Sequence, residues 1–265
     1  FGSETSVRKI LPEDWYQHYL EKIEGQTPPP RVTEAQLPET PFSIPGIPEQ
    51  FSIYFQRNLR TKLADLQYLL VNFLEAPVLA VILGYFTKFI GENVYLFGNN
   101  KNIPVFFFMS VVVALFLGLT VSAEEIIRDR KILQRESFLN LSRFSYLNAK
   151  TAYLFLVSFV QTLSFVVPAS LILEIQDMWL PFWLILFSTS CFANLLGLNI
   201  SSAFDSVITI YILIPLIMVP QILFGGAMIH FDDLHPSITN RRYVPVLGDL
   251  MTTRWAYEAM VVTQF

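Results

Sequence analysis

Apolar blocks separated by short polar segments make up most of the chain. They lie at about residues 66–90, 103–123, 151–174, 179–203 and 207–229. A helix needs roughly 20 apolar residues to cross the hydrocarbon core of a bilayer, and each block meets that length. The pattern therefore predicts an all-α integral membrane protein with five visible transmembrane helices in residues 66–229.

A different pattern precedes the first block. In residues 49–65, Phe51, Phe55 and Leu59 recur at helical spacing, and basic residues lie between them. A basic amphipathic helix of this kind is suited to a membrane surface, with its cations near anionic headgroups. We interpret residues 49–65 as a surface helix that leads into the first span, although an ordinary helix on a protein surface has similar spacing.

The first 48 residues are polar and rich in proline. Seven prolines occur between residues 27 and 48, and charged residues follow no sustained period. Residues 1–48 are therefore predicted to form a linker, with one short helix over Pro12–Glu24. The sequence opens without methionine or a signal peptide, so we expect it to be part of a longer polypeptide.

Composition and charge exclude several classes of protein. Hydrophobic residues make up 53% of the chain and charged residues 15%, against about 25% charged residues in soluble domains. A net charge of −4 gives no indication of a nucleic-acid partner. The single cysteine, Cys191, excludes an intrachain disulfide, and the three histidines show no ligand spacing, so no metal site is predicted.

The basic residues of the loops indicate an orientation. Most of them fall in the amphipathic helix and after the second span, and fewer fall on the opposite side. Because basic residues are enriched in cytoplasmic loops, the N-terminus is predicted to be cytoplasmic. Residues 230–265 then form an extracytoplasmic loop, and their aromatic end suggests a missing sixth span beyond residue 265.

The most charged segment follows the second span. Acidic residues alternate with basic ones from Ser122 to Ser137, at separations of three to five residues that allow pairing across helical turns. One interpretation is a solvated loop with weak ion pairs. The other is a docking surface that transmits motion from a cytoplasmic partner.

Several motifs in this order resemble a known family. After the amphipathic helix come the first-span stretch LLVNFLEAPVLAVILGYF, the charged segment, the SRFSYLNAK stretch, FGGAMI at the end of the fifth block and RWAYEAMVVTQF at the end of the chain. The motif positions within and after the charged segment are Glu125, Asp129-Arg130, Arg135-Glu136, Tyr146 and Ala149-Lys150. Over roughly residues 49–265 the chain is similar to the transmembrane domain of ABC exporters of the G subfamily, the type-2 class, with a bacterial-like first span.

The resemblance implies a half-transporter that works as a homodimer in the inner membrane of a bacterium. It implies that an ATP-binding domain, fused at the linker or separate, binds ATP and Mg and drives alternating access. The chain contains no GxxxxGK[ST] motif, so no catalytic site is assigned to it and ATP hydrolysis is expected on that partner domain. The expected substrate is amphipathic or lipophilic.

Two sets of site residues follow from the resemblance. Residues 124–143 are expected to couple the spans to the ATP-binding domain, through Glu125, Asp129, Arg130, Arg135 and Glu136. The translocation cavity is expected between the second and fifth spans of two protomers. Helix-face placement suggests five lining residues, which are Ala114, Leu117, Val219, Ile222 and Met228.

Two further positions attract attention. Glu75 falls inside the first predicted span, where a charge costs about 2.5–3.5 kcal/mol, so it is expected to face protein or water, or to be protonated. We favour the alternative that it lies at the inner interface, beside Pro77. Phe106, Phe107 and Phe108 open the second span and are interpreted as interfacial or lipid-facing residues rather than as substrate contacts.

Other functions remain open at this point. An ion channel or a non-transporting scaffold subunit is compatible with apolar spans and one charged segment. A membrane-embedded enzyme is disfavoured because the spans lack a cluster of ionisable groups at one depth.

Overall fold

The computed structural model describes residues 12–24, 45–90, 95, 97–136, 141–175, 178–229, 231, 235 and 244–264. The chain divides into two units, Phe1–Ile44 and Pro45–Phe265. In the first unit, helix α1 (Pro12–Tyr19) continues into a π-helical turn at Leu20–Glu24. The short helix predicted there is confirmed, whereas the rest of the predicted linker before residue 45 lies outside the described residues.

The second unit begins with the amphipathic helix. Helix α2 (Ile47–Leu63) starts after Gly46, whose N–H donates to the Glu49 carboxylate at 3.1 Å. Two residues separate α2 from the next helix, and Asp65 caps that helix by accepting a hydrogen bond from the Tyr68 N–H at 3.0 Å. The caps satisfy backbone groups that a helix start leaves unpaired.

Four helices are long and apolar enough to cross a membrane. They are α3 (Leu66–Thr87), α4 (Ile103–Ser122), which is followed by α5 (Glu125–Glu136), α6 (Arg143–Leu173) and α7 (Trp179–Ala203). The all-α membrane fold is confirmed, and the described residues contain no strand. The third span differs from the prediction in one respect, since α6 begins at Arg143, before the apolar block.

The fifth predicted span is shorter than expected. Helix α8 (Val207–Leu223) has 17 residues and ends before residue 229. It stops because Phe224 and Gly225 form a turn, and Gly226 adopts a φ of +78° that favours glycine. The Gly225 backbone also lies so close to Phe108 that an added Cβ would clash with its ring.

The region after α8 contains further helices. A short helix α9 (Val246–Asp249) precedes α10 (Thr252–Gln264), and α10 contacts α4, α7 and α8. Its residues Ala256 and Met260 are buried in the main apolar core. The described part of residues 230–265 is therefore integrated into the helical body.

The core is centred on α4. Phe106, Phe107 and Phe108 are at most 1% exposed, and Phe182 of α7 packs against the first two. The expectation that these phenylalanines face lipid or the interface is wrong, because α4 is surrounded by α3, α6, α7 and α10. The most extensive helix contact joins α4 to α7, and small residues at Gly118 and Gly197 allow it.

Candidate functional site

A buried ionic cluster lies where α2, α5 and α6 meet. The Glu125 side chain is 3% exposed and accepts a hydrogen bond from the Lys150 ammonium at 2.6 Å, and a second from Lys62. Lys150 also contacts the Asp129 carboxylate at 2.9 Å. We call Lys62, Glu125, Asp129 and Lys150 the Glu125 cluster, and the end of the helical body that contains it the α5 end.

Helical spacing explains how the cluster forms. Glu125 and Asp129 are four residues apart on α5, and Tyr146 and Lys150 are four residues apart on α6. Residues at this separation share a helix face. The two faces meet, and the Tyr146 hydroxyl donates a hydrogen bond to Asp129 at 3.0 Å. Tyr54 of α2 packs edge-on against Tyr146 and closes the cluster from the third side.

The cluster contains two positive and two negative charges. Burial alone would raise the pKa of the Glu125 carboxyl, but the ammonium groups of Lys150 and Lys62 lower it by more. The pKa of Glu125 therefore lies below its usual value, and the carboxylate is ionised at neutral pH. A buried charge pair of this kind costs desolvation energy and is strongly destabilised when one partner is removed.

Aromatic residues extend the cluster toward α3. The Lys62 ammonium lies 4.1 Å from the centroid of the Tyr68 ring. The Tyr153 hydroxyl of α6 donates to the Tyr68 hydroxyl at 3.2 Å. Glu125 is thus linked through Lys62 to the first span as well as to the third.

The start of α5 is attached to the end of α7. The Ser201 hydroxyl oxygen accepts hydrogen bonds from the N–H groups of Ile126 and Ile127, at 3.1 and 3.2 Å. Arg130 donates to the carbonyl oxygen of Phe204 at 3.1 Å and pairs with Asp205. These contacts join α5 to the fourth span.

Two further contacts of this segment involve α2 and α8. Glu136, the last residue of α5, pairs with Arg57 of α2 at 2.8 Å. Glu124, just before α5, accepts a hydrogen bond from the Tyr211 hydroxyl of α8 at 2.5 Å. Side chains of residues 124–136 therefore contact α2, α6, α7 and α8.

The ion pairs differ from the pairing suggested by the sequence. Among the described ion pairs that involve this segment, the pair of Arg128 and Glu124 has both residues inside the segment, at 3.9 Å. The others join α5 to α2, to α6 and to Asp205, which follows the end of α7. Among the expected coupling residues, Glu125 and Asp129 belong to one cluster, Arg130 and Glu136 make separate contacts, and Arg135 is exposed.

The expected cavity residues fall into a buried group and an exposed group. Ala114 and Leu117 are 3% and 1% exposed and lie in the protomer's own core. Val219 and Met228 are exposed, and Ile222 is half-buried. The α4 pair therefore has no surface available to a substrate in this conformation, whereas the residues in and after α8 do.

Glu75 borders a cleft close to the Glu125 cluster. The cleft has a volume of about 200 Å³ and includes Lys62, Glu124 and Arg128 in its wall. Glu75 is half-buried on α3 and faces the same space as these charged residues. Glu75 therefore lies among the charged residues of the α5 end.

No spacing in the sequence pairs the residues that hold α5 with their partners. Lys62 is one of several basic residues on α2, Asp205 indicates only a short turn between the fourth and fifth spans, and no pattern singles out Ser201. Lys150 was the residue that could have indicated the cluster, because a cation at the start of an apolar block requires an acidic partner. No group of three potential metal ligands occurs among the residues that the structure describes.

Comparison with known proteins agrees with this architecture. The family model for the ABC-2 type transporter matches residues 49–265, from α2 to the end of the chain. A comparison with curated proteins finds no match. The matched region covers well over half of the sequence and includes the spans and the Glu125 cluster. The chain therefore belongs to the ABC-2 type transporter family, and it is the membrane-spanning domain of a type-2 ABC transporter.

Proposed function

We propose that this chain is the transmembrane domain of an ATP-driven exporter of the G subfamily, working as a homodimer by alternating access. The observation that carries the proposal is the Glu125 cluster, in which one buried carboxylate holds cations from α2 and α6. Since α5 is also bonded to the end of α7, a displacement of α5 would act on several spans together.

Coupling between an ATP-binding domain and the spans requires an element whose position depends on both of them. Helix α5 lies at one end of the spans, and its outer side is free to contact a partner domain. In this proposal ATP and Mg bind to a fused or separate ATP-binding domain, whose closure pushes on α5. The contacts of Glu125, Asp129, Arg130 and Glu136 pass that displacement to the spans.

The orientation belongs to the proposal as well. Exposed basic residues are concentrated at the α5 end, including Arg60, Arg128, Lys131, Arg135 and Arg143. This concentration supports a cytoplasmic α5 end and N-terminus. The membrane would be the inner membrane of a bacterium.

The substrate path is assigned to the exposed side of α8. Apolar residues at helical spacing form one exposed face, which comprises Ile208, Ile212, Leu216, Val219 and Leu223. A face of this composition supports an amphipathic or lipophilic substrate at a cavity between two protomers. Ala114 and Leu117 would reach that cavity after a rearrangement of α4.

The test uses the full transporter, with its ATP-binding domains, in proteoliposomes. Arg130→Glu and Glu136→Arg each break a contact between α5 and another helix, and Lys101→Glu reverses an exposed cation away from α5. We expect each α5 variant to lower ATP-dependent transport of a lipophilic fluorescent amine at least tenfold while ATP hydrolysis continues. Lys101→Glu is expected to stay within twofold of the parent protein.

Two results would contradict the proposal. If both α5 variants retained transport and its ratio to ATP hydrolysis, coupling through α5 would be wrong. If the parent protein conducted ions without ATP and moved no amine, a channel would be the better assignment.

A further inference from the structure

Glu75 is a carboxylate without a partner inside an apolar helix. It is half-buried on α3, about 14 Å along the helix from Leu66, where α3 begins. Its carboxylate makes no ion pair and no hydrogen bond within the part of the chain that the structure describes. A charge at such a position in a span is costly, and residues of this kind mark paths for substrates, ions or protons.

The cleft beside Glu75 has one negative charge in excess. Two cations, Lys62 and Arg128, and two further carboxylates, Glu124 and Glu125, lie in its wall. Lys62 pairs with Glu125, and Arg128 lies 3.9 Å from Glu124. The Glu125 cluster as a whole is neutral, since its positive and negative charges are equal in number. The negative charge of Glu75 is therefore the one that this wall leaves uncompensated.

The cleft has room for a charged group with its nearest substituents, but not for a whole lipophilic molecule. Its volume is about 200 Å³, and a cavity of about 150 Å³ holds one benzene molecule. Tyr211 lies in the same wall and is 50% exposed. Since tyrosine rings attract cations at their faces, this residue adds to the preference of the cleft for a cation.

Tyr211 also connects the cleft to the exposed apolar face of α8. It lies between Ile208 and Ile212, two members of that face that are 74% and 67% exposed. A molecule whose charged group reaches Glu75 can therefore place its apolar part on α8. Together the two regions match an amphiphile, because a negative subsite adjoins an apolar surface.

We propose that Glu75 binds the ammonium group of a cationic amphiphile, and that the cleft selects amines over uncharged molecules with the same apolar body. This inference rests on the proposed function and names the substrate class. An uncharged molecule in the cleft would leave the carboxylate without compensation, and such unpaired charges are a source of specificity. Glu75 is thus a specificity-determining residue, separate from the contacts that hold α5.

The binding experiment uses two probes that differ mainly in charge. One is a lipophilic fluorescent amine, and the other is its N-acetyl derivative, which has nearly the same apolar body and no charge. Fluorescence anisotropy measures the affinity of each probe for the full transporter in nanodiscs without ATP, with empty nanodiscs as the blank. We expect Glu75→Gln to weaken binding of the amine at least tenfold and binding of the N-acetyl derivative less than twofold.

Two further variants separate the charge of Glu75 from other effects. Glu75→Asp keeps the carboxylate and is expected to weaken amine binding less than threefold. Glu174→Gln makes the same carboxylate-to-amide change after the end of α6, away from the cleft, and is expected to leave both affinities within twofold. Because Glu75 has no partner to lose, folding of Glu75→Gln is expected to persist, and the melting temperature of each variant checks this.

The transport experiment measures selectivity in proteoliposomes that contain the full transporter and ATP. We expect Glu75→Gln to lower the ratio of amine transport to N-acetyl transport at least tenfold. Either an unchanged affinity for the amine or an unchanged ratio overturns the assignment of Glu75. An equal loss of both probes overturns amine selection as well, since Glu75 would then serve a step common to all substrates, such as proton transfer.

Failure of the proposed function would give a different result. A parent protein that binds the amine through Glu75 but transports neither probe with ATP overturns the proposed function and leaves Glu75 assigned as a cation site. A parent protein that transports both probes equally well keeps the proposed function and overturns amine selection.

Discussion

The contact between α4 and α7 and the Glu125 cluster hold helices together by different means. In the first, an added Cβ at Gly118 would lie 2.6 Å from the Ser190 carbonyl oxygen, so the backbones almost touch. In the second, long charged side chains of α2, α5 and α6 meet at one buried carboxylate. One contact is fixed by backbone shape and the other by charge.

This difference suggests which helices stay rigid and which contacts adjust between states. Close backbone packing has one good arrangement, because a small displacement produces clashes or gaps. Lysine and arginine side chains have several rotatable bonds and can follow a carboxylate while a helix tilts. We infer that α4 and α7 move as one body, and that adjustment between states occurs at the α5 end.

The largest predicted effect is at Glu125. Glu125→Gln removes the charge that Lys62 and Lys150 share and leaves a buried ammonium without full compensation. Loss of one partner of a buried ion pair costs about 3–5 kcal/mol. We expect the free energy of unfolding in detergent micelles, followed by tryptophan fluorescence, to fall by that amount.

The control for this change is Glu174→Gln. Glu174 pairs with Lys88 at 3.2 Å, but its side chain is 55% exposed. Exposed pairs contribute about 0–1 kcal/mol. Equal losses of unfolding free energy in the two variants would show that burial of Glu125 does not matter.

The next effect tests the contact between α4 and α7. Gly118→Ala places a methyl group against the Ser190 carbonyl oxygen, a backbone atom that cannot rotate away. Overpacking of a tight contact costs about 1–3 kcal/mol. We expect a lower free energy of unfolding of this size, measured as above.

Gly98→Ala is the matched control, because no atom lies within 4 Å of a Cβ added at Gly98. It is expected to change stability by less than about 0.5 kcal/mol, as for most surface substitutions. A Gly118→Ala protein as stable as the Gly98→Ala protein would mean that α4 and α7 separate easily, against the rigid body inferred above.

The sequence predicts these two regions unequally. Apolar blocks placed four membrane helices well, because length and hydropathy are local properties, whereas the fifth block contains the shorter helix α8. The closeness of Gly118 to Ser190 depends on two helices far apart in sequence, so no periodicity could indicate it. For the same reason, charges on α5 suggested partners on α5, whereas Lys62, Lys150 and Arg57 on other helices supply the pairs.

The burial of individual residues was the second property that could not be predicted from the sequence. Phe106, Phe107 and Phe108 resemble lipid-facing residues in composition, and α10 did not stand out as a helix of the core. The burial of Phe106 and Phe107 depends on Phe182 of α7, and that of Phe108 on α10, whose Tyr257 packs edge-on against it. A hydrophobic residue in a span faces either lipid or protein, and the residue type alone does not distinguish the two environments.

The smallest predicted effect concerns Arg57 and Glu136, whose side chains are 36% and 26% exposed. Because water screens the pair, its coupling free energy is expected to be about 0.2–1 kcal/mol in a double-mutant cycle with Arg57→Gln and Glu136→Gln. The swap Arg57→Glu/Glu136→Arg should then recover most of the stability lost by either single reversal. Its effect on transport is expected to be larger than its effect on stability, since the pair joins α2 to the end of α5. If the swap restored stability but left transport per ATP as low as in the single variants, residues 57 and 136 would contribute to coupling through a contact with the partner domain and not through each other.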